Sequence, residues 1–586
     1  YGKDMNMVAG GRYRPLSLIT FAVEYELFGE NPHISHFINI LLYALTGYLI
    51  FLILSYFFRK REKEQWFRSL PFFAALLFVA HPIHTEVVAN IKGRDEILTL
   101  LFSLLALWMS LKYAGSGKMK YLTYSGITFF LGLLSKENSI TFLAIIPFSI
   151  YFFTDAHWKI NLKVFWPLLL VTVVFLIIRQ NVLGDSNDDL LNDVMNNPFV
   201  EMTTAQKFAT IIYTLGLYVK LLFFPHPLTF DYYPYHIPIV NWSELKAIVP
   251  LLIYLAMAAW FFIGFKKKSP VAYAIIFFLA GISIVSNIFF PVGVFMNERF
   301  VYLPSVAFSI LIVYWLFDRV PVLLKRDTFK FTLPLLIVVL GLFSFKTIDR
   351  NKDWESSFKL FTTDVKTSFN SAKGNALAGE YLMAAAQKTE NDSIRTEYFE
   401  RSIKYLSRAI EIYPKHGHAL FNLVSAHYSY NKNFDAILEV FKKVLKISPY
   451  EVRVFQNLKI MFNNYPDTDY KIHFYEELEK YSPNNSEIYL RIGRYCLLDK
   501  KQARESLSFL ERSVKINPNV AEAHNSLGVA QYQTGDIQGA LKSFEAALKL
   551  IPNDKQILNN LVALNQKLGN TAKAEEYKRR LESLGR

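Results

Sequence analysis

Long apolar runs broken by short polar turns fill the chain from about residue 36 to residue 347; beyond them Leu and Ala recur at helical spacing among Lys, Glu and Asn. Stretches long enough, or nearly so, to cross a bilayer lie near 36–58, 70–90, 96–114, 120–135, 138–154, 162–178, 207–224, 246–265, 270–290, 300–318 and 331–347. A straight helical crossing needs about 20 such residues. Loops near 59–69, 112–120, 155–163, 264–269 and 319–330 carry Lys and Arg, and those near 91–95, 136–138 and 290–299 are of mixed charge. The basic set is expected on the cytoplasmic side.

That alternation holds only if 207–224, with Lys220 and the following Pro225-His226-Pro227, lies in or dips into the outer interface instead of crossing. About ten crossings are then predicted, with residues 1–35 and the carboxyl-terminal region on the extracytoplasmic side.

The second region is repetitive. Pro414, Pro449, Pro483, Pro518 and Pro552 are separated by 35, 34, 35 and 34 residues, the period and punctuation of tetratricopeptide repeats. The clearest unit runs from Ala521 to Pro552, with Leu527-Gly528 on one helix and Ala540, Phe544 and Ala547 on the next. A further unit places Leu558, Leu561, Ala574 and Leu581 in matching positions. The fold class predicted is all-α: a polytopic transmembrane helix bundle at 1–348, a linker at 349–371 and a superhelix of about six repeats at 372–586. Such a superhelix offers a concave face to an extended peptide or partner, or serves as a spacer.

Composition agrees with two solvents. The 586 residues exceed one ordinary domain, and 52% hydrophobic with only 19% charged residues suits lipid contact. The net charge of +14 does not point to nucleic acid, because much of the basic excess sits in loops between apolar blocks, as in Arg59-Lys60-Arg61 and Lys266-Lys267-Lys268. The single cysteine, Cys496, excludes an intrachain disulfide and a cysteine-rich metal site. The chain begins at Tyr1 without a cleavable signal pattern, so an upstream segment is expected.

Ionisable residues gather in the outer turns, where groups at membrane depth are functional candidates. They comprise His81, His84 and Glu86; Lys92, Arg94, Asp95 and Glu96; Lys136 and Glu137; Asp231; Glu298, Arg299 and Tyr302; and Arg12 and Arg14 in the leading segment. Arg14, Arg94, Lys136 and Arg299 suit the phosphate of a lipid-linked substrate, and Glu86, Asp95 and Glu137 suit proton removal from an acceptor hydroxyl. His81 and His84 could ligate a divalent metal, or cap and pack a helix end; their spacing is not that of zinc proteases. The charged pairs could also simply neutralise one another or snorkel to the headgroups.

The strings Tyr13-Arg14-Pro15-Leu16, His81-Pro82-Ile83-His84-Thr85-Glu86 with Gly93-Arg94-Asp95, Leu133-Leu134-Ser135-Lys136-Glu137, and Glu298-Arg299 with Tyr302-Leu303-Pro304-Ser305 stand in order ahead of the repeats. In this the chain resembles the transmembrane and tetratricopeptide-repeat protein O-mannosyltransferases (the TMTC family), within the C-type fold of membrane glycosyltransferases. The resemblance implies transfer of a sugar, typically mannose, from a polyprenyl-phosphate donor to Ser or Thr of a protein on the extracytoplasmic side, with inversion and with the repeats holding the acceptor. The membrane would be a bacterial inner membrane or the endoplasmic reticulum. It also places the principal catalytic Asp upstream of Tyr1 after an initial spanning helix; Asp4 does not stand in the family's acidic motif, and a chain lacking that Asp is expected to be inactive. Two other classes fit the same architecture: a non-catalytic membrane-anchored repeat scaffold, and a ligase or polymerase of lipid-linked oligosaccharides.

Overall fold

The computed structural model describes residues 12–59, 65–184, 193–325 and 329–584. Asp4, Lys60 and Arg61, named above, lie outside the described residues. Every regular element among the described residues is helical, and the chain divides into two compact units, one ending at Ala384 and the other beginning at Ala385.

The first unit opens with α1 (Pro15–Phe28) and α2 (Pro32–Phe57), which start on prolines whose missing N–H costs nothing at that position. Next come α3 (Leu70–Ala80), the short α4 (Thr85–Ala89), α5 (Arg94–Ser116), α6 (Met119–Ser135), α7 (Phe142–Phe153) and α8 (Trp158–Leu183). They are followed by α9 (Thr204–Phe223), α10 (Leu245–Phe265), α11 (Pro270–Ser283), α12 (Ser305–Tyr314), α13 (Val320–Leu324) and α14 (Phe329–Asn351). Helices α5 and α6 form a hairpin turned by Gly117, whose φ of 68° lies in the left-handed region. Hydroxyl pairs tie the bundle internally, Ser110 to Ser125 at 2.8 Å and Ser103 to Ser139 at 2.9 Å. With lipid tails as apolar as Leu, such polar ties and close packing hold membrane helices together.

Six of the described helical segments are long and apolar enough to span: Pro32–Phe57, Ile91–Ser116, Trp158–Leu183, Leu245–Phe265, Ser305–Leu324 and Lys330–Glu355. The pair Leu70–Ala80 and Pro82–Ala89, bent by 51°, would make a seventh, and Glu137–Phe153 and Pro270–Ser283 are shorter apolar helices. The apolar segments predicted as crossings thus differ in kind. The run predicted at 70–90 is broken, because Pro82 has no N–H to continue α3 and the chain turns at His81. Large side chains stay exposed on α10 and α14, among them Leu245, Phe262, Phe331 and Phe345, as expected of surfaces that face hydrocarbon.

The stretch 349–371, expected to be a linker, is folded. It completes α14, makes a single 3-10 turn at Lys352–Glu355 and forms α15 (Ser357–Thr367). The Arg350 guanidinium meets both carboxylate oxygens of Asp364 at 2.5 and 2.6 Å, and Asp364 also accepts from the Phe230 amide at 2.7 Å. Both side chains of the pair are buried, and a buried carboxylate with three donors fixes the chain around it.

Helix α16 (Ala372–Lys388) runs across the boundary between the units. The second unit continues with α17 (Asp392–Ile412), α18 (Gly417–Asn431), α19 (Phe434–Ile447), α20 (Val452–Phe462), α21 (Thr468–Glu479), α22 (Ser486–Arg494), α23 (Ala503–Ile516), α24 (Ala521–Thr534), α25 (Ile537–Leu550), α26 (Lys555–Lys567) and α27 (Thr571–Ser583). From α16 onward they succeed one another as helix pairs, and each of the five periodic prolines falls in the turn before the next pair. Within α24 and α25 the helices nearly touch: a Cβ added at Gly528 would lie 2.7 Å from the Phe544 ring. Ala540 and Ala547 are fully buried beside it.

Replacing Arg350 by Ala strands the Asp364 charge in the interior and is expected to cost about 3–5 kcal/mol. In detergent this should appear as a lower unfolding temperature and new protease cleavage within 349–371. Unchanged melting and cleavage would mean that the pair does not hold α15.

Candidate functional site

Three turns of the first unit and the segment leading into α1 meet at one place. At the first turn a Cβ added at Gly93 would lie 2.0 Å from the Val87 carbonyl oxygen, so only glycine allows α4 to fold back tightly onto the start of α5. Asp95 and Glu96 therefore stand in the first turn of α5, where the helix dipole favours negative charge. At the second turn Lys136 is extended (φ −165°, ψ 144°), so consecutive side chains point opposite ways. Lys136 turns inward to an ion pair with Glu96, both buried, and Glu137 turns outward to the Arg14 guanidinium at 3.1 Å. Arg14 also meets Asp95 at 2.5 Å and so bridges two carboxylates from different turns.

At the third turn Asn297 is likewise extended (φ −155°, ψ 144°). Arg299 reaches Glu86 twice, through its guanidinium at 2.5 Å and through its backbone amide at 3.1 Å. Glu86 is buried, while a third of the Arg299 side chain (32%) stays exposed and available to a ligand. Electrostatics join the parts: Arg299 feels Glu96 and Asp95 as well as Glu86, and Arg12 feels Arg14, Arg299, Asp95 and Glu137. Burial works against the Arg14 charge, but Glu137 and Asp95 hold its proton more firmly than usual. Arg12 holds its proton less firmly than usual, through partial loss of hydration and then the like charges of Arg14 and Arg299. An anion arriving there would relieve that crowding of guanidinium groups.

The structure thus brings together Arg14, Glu86, Asp95, Glu96, Lys136, Glu137 and Arg299. Arg94, expected to bind phosphate, does not join them. It is fully buried, paired with Glu24 at 2.7 Å, bonded to Asn39 at 2.9 Å and to the Ser35 carbonyl at 3.2 Å, and lies over the Phe21 ring. With its donors engaged it ties α1 and α2 to α5. The partner Glu24 was missed in the sequence. Its signal was a carboxylate inside an apolar helix, which needs a cation nearby.

His81 and His84 do not fit a metal. His81 Nδ1 accepts from the Ile83 amide at 3.2 Å, leaving Nε2–H to donate to the Leu222 carbonyl at 2.9 Å. His84 is held by Tyr43 Oη and Ser305 Oγ, each at 2.8 Å. No group of three or more His, Cys, Asp or Glu among the described residues could hold a metal ion. Tyr302 packs against Phe78 and His84 in this layer.

Asp231 and Glu298 belong to a neighbouring polar layer. Asp231 accepts from Ser371 Oγ at 2.6 Å and the Tyr233 amide at 3.1 Å, and fixes the segment after α9. Glu298 accepts from the Thr229 amide at 2.6 Å and Tyr232 Oη at 2.8 Å. Burial, only partly offset by Arg350, pushes the Glu298 carboxyl up to about 8.

A bundle of apolar helices with paired charges gathered among its turns, followed by tetratricopeptide repeats, defines a multi-pass membrane protein with a repeat domain. Comparison with known proteins adds to this. The family described as dolichyl-phosphate-mannose-protein mannosyltransferase matches residues 15–183, and the tetratricopeptide repeat family matches 521–554. The chain is 25% identical to the human protein O-mannosyl-transferase TMTC3 over 625 residues, covering 97% of this chain and 65% of that protein. It is 28% identical to human TMTC1 over 450 residues, covering 70% and 49%. It is 30% identical to the Caenorhabditis elegans protein O-mannosyl-transferase F38B6.6 over 399 residues, covering 66% and 54%. The chain therefore spans less than two thirds of these relatives' own lengths. The resemblance expected from the four strings extends over nearly all of the chain.

Two outcomes test the electrostatics. Lys136→Ala leaves Glu96 buried without a cation and is expected to cost about 3–5 kcal/mol, whereas the double change Lys136→Met with Glu96→Gln should recover most of it in thermal unfolding; equal losses would refute the pairing. Glu298 prefers its proton in the folded state, so its contribution is complete below pH 4.5 and is lost as pH rises to about 8. Relative to Glu298→Gln, the native chain should lose stability progressively across that window, and parallel pH profiles would contradict the raised value.

Proposed function

We propose that the protein transfers mannose from a polyprenyl-phosphate donor to Ser or Thr of proteins on the extracytoplasmic face of its membrane. The observation that carries this reading is the convergence of Arg12, Arg14 and Arg299 with Asp95, Glu137 and Glu86 in one partly exposed cluster. Support comes also from the relatives named protein O-mannosyl-transferases and from the mannosyltransferase family match, which covers Glu86, Asp95, Lys136 and Glu137.

In the proposed reaction the acceptor oxygen attacks the anomeric carbon, and the bond from that carbon to the phosphate oxygen breaks with its electron pair leaving on phosphate. The configuration inverts. Guanidinium groups suit the departing phosphate through bidentate, charge-assisted hydrogen bonds. A carboxylate takes the hydroxyl proton. Arg14 holds both Asp95 and Glu137, so a phosphate that draws Arg14 to itself would release a carboxylate to act as base. Glu137, a third exposed at 36%, is the more accessible of the two, and Glu86, engaged twice by Arg299, serves to position that cation. The repeat domain would hold the acceptor polypeptide, as stacked helix pairs commonly do.

Full-length protein reconstituted with radiolabelled polyprenyl-phosphate mannose and a Ser/Thr peptide tests this. Transfer is expected, with Arg14→Ala and Arg299→Ala each lowering it by about 10²–10³ while the protein stays folded by protease resistance. Failure to transfer from any lipid-phosphate sugar overturns the proposal. Use of a lipid-pyrophosphate oligosaccharide as sole donor would replace it with en bloc transfer.

A further inference from the structure

Helix α1 has its polarity inverted. Ser17 and Glu24 are buried, whereas Leu18 and Ile19 are 47% and 56% exposed and Val23, Tyr25 and Leu27 are exposed as well. In water that arrangement would hide the polar groups and present the apolar ones; against hydrocarbon it is the favourable one. The exposed acid of the helix, Glu26, stands in its last turn, next to the polar turn Gly29-Glu30-Asn31.

The helix lies across the end of the bundle. Arg14, its N-cap, meets Glu137 just beyond α6 and Asp95 in the first turn of α5. Ten residues on, Glu24 meets Arg94 at the start of α5 and accepts from Ser35 in the first turn of α2. Helix α1 therefore passes over the start of α5, from the end of α6 to the start of α2. Its 14 residues rise about 21 Å, short of the roughly 30 Å of a hydrocarbon core. It leads into α2, which is long and apolar enough to span and exposes Phe37 and Ile40, so lipid is the neighbour of both helices.

A cation heads this apolar surface. Residues three and four apart share one side of a helix, so Leu18, Ala22 and Tyr25, all exposed, form a stripe that starts one turn beyond Arg14. The Arg14 side chain is 19% exposed, and its Nε–H has no acceptor among the described residues. A phosphate oxygen would supply the acceptor it lacks.

We infer that α1 is embedded in the lipid leaflet and that a polyprenyl phosphate binds along it, with the phosphate at Arg14 and the chain against Leu18, Ala22 and Tyr25. This rests on the lipid-phosphate donor proposed above and assigns the path of its hydrocarbon chain. The ligand then reaches the charged cluster sideways from the leaflet, and Arg14 is the first cation it meets.

The test places the photoreactive p-benzoylphenylalanine at Leu18 or, as a lipid-facing control, at Phe262 on α10, in the full chain in phosphatidylcholine nanodiscs containing radiolabelled polyprenyl phosphate. Labelling at Leu18 is expected to exceed that at Phe262 and to fall about tenfold or more in Arg14→Ala, which removes a charge-assisted hydrogen bond. Ala22→Glu, which sets a carboxylate in the stripe with Arg14 intact, should lower it too, while protease resistance reports that both variants stay folded. Equal labelling at the two positions, or labelling unchanged in both variants, overturns the inference. Mannose transfer without preferential labelling at Leu18 overturns it and leaves the proposed reaction in place; preferential labelling without transfer supports it and overturns the reaction alone.

Discussion

A charge withdrawn from water into an apolar bundle must meet an opposite charge, and the organisation of the first unit follows from that requirement. Arg94 with Glu24, Lys136 with Glu96 and Arg299 with Glu86 each join chain segments remote in sequence, and Arg350 with Asp364 closes the turn between α14 and α15. Hydrophobic burial alone would not fix how these segments meet, because lipid-facing and core-facing helix surfaces are similarly apolar. The ion pairs and hydroxyl ties select one arrangement.

The same requirement separates structural charges from available ones. Arg94 and Lys136 are sealed and matched, which makes them supports. Arg14, Arg299 and Glu137 keep part of their surface open while remaining oriented by partners. The proposed anion site draws on this combination, since a guanidinium already oriented by a carboxylate loses little freedom when it exchanges that carboxylate for a phosphate. His81 and His84 spend ring nitrogens on neighbouring segments, and the Tyr302 ring packs edge-on against His84.

The second unit obeys a different rule. Each helix pair buries its small residues against the large ones of its partner, as Gly528 does against Phe544 and Gly493 against Leu510. Stability is then a sum of local interfaces, and the prolines between pairs stop each helix where the next must begin.

The repeat architecture was fully legible in the sequence, because period and packing residues lie within one 34-residue unit and need no distant partner. The apolar segments were legible for the same local reason, and so was the gathering of ionisable residues at their turns. Tertiary structure alone decided which charges pair. Arg94 and Asp95 are adjacent, yet one is sealed against Glu24 and the other faces Arg14, because successive residues at the start of a helix point about 100° apart. The folded state of 349–371 was equally hidden, since it rests on Asp364, held by Arg350, accepting from the Phe230 amide more than a hundred residues away. Sequence periodicity reports what neighbours along the chain do; the partner of a buried charge is chosen by the fold.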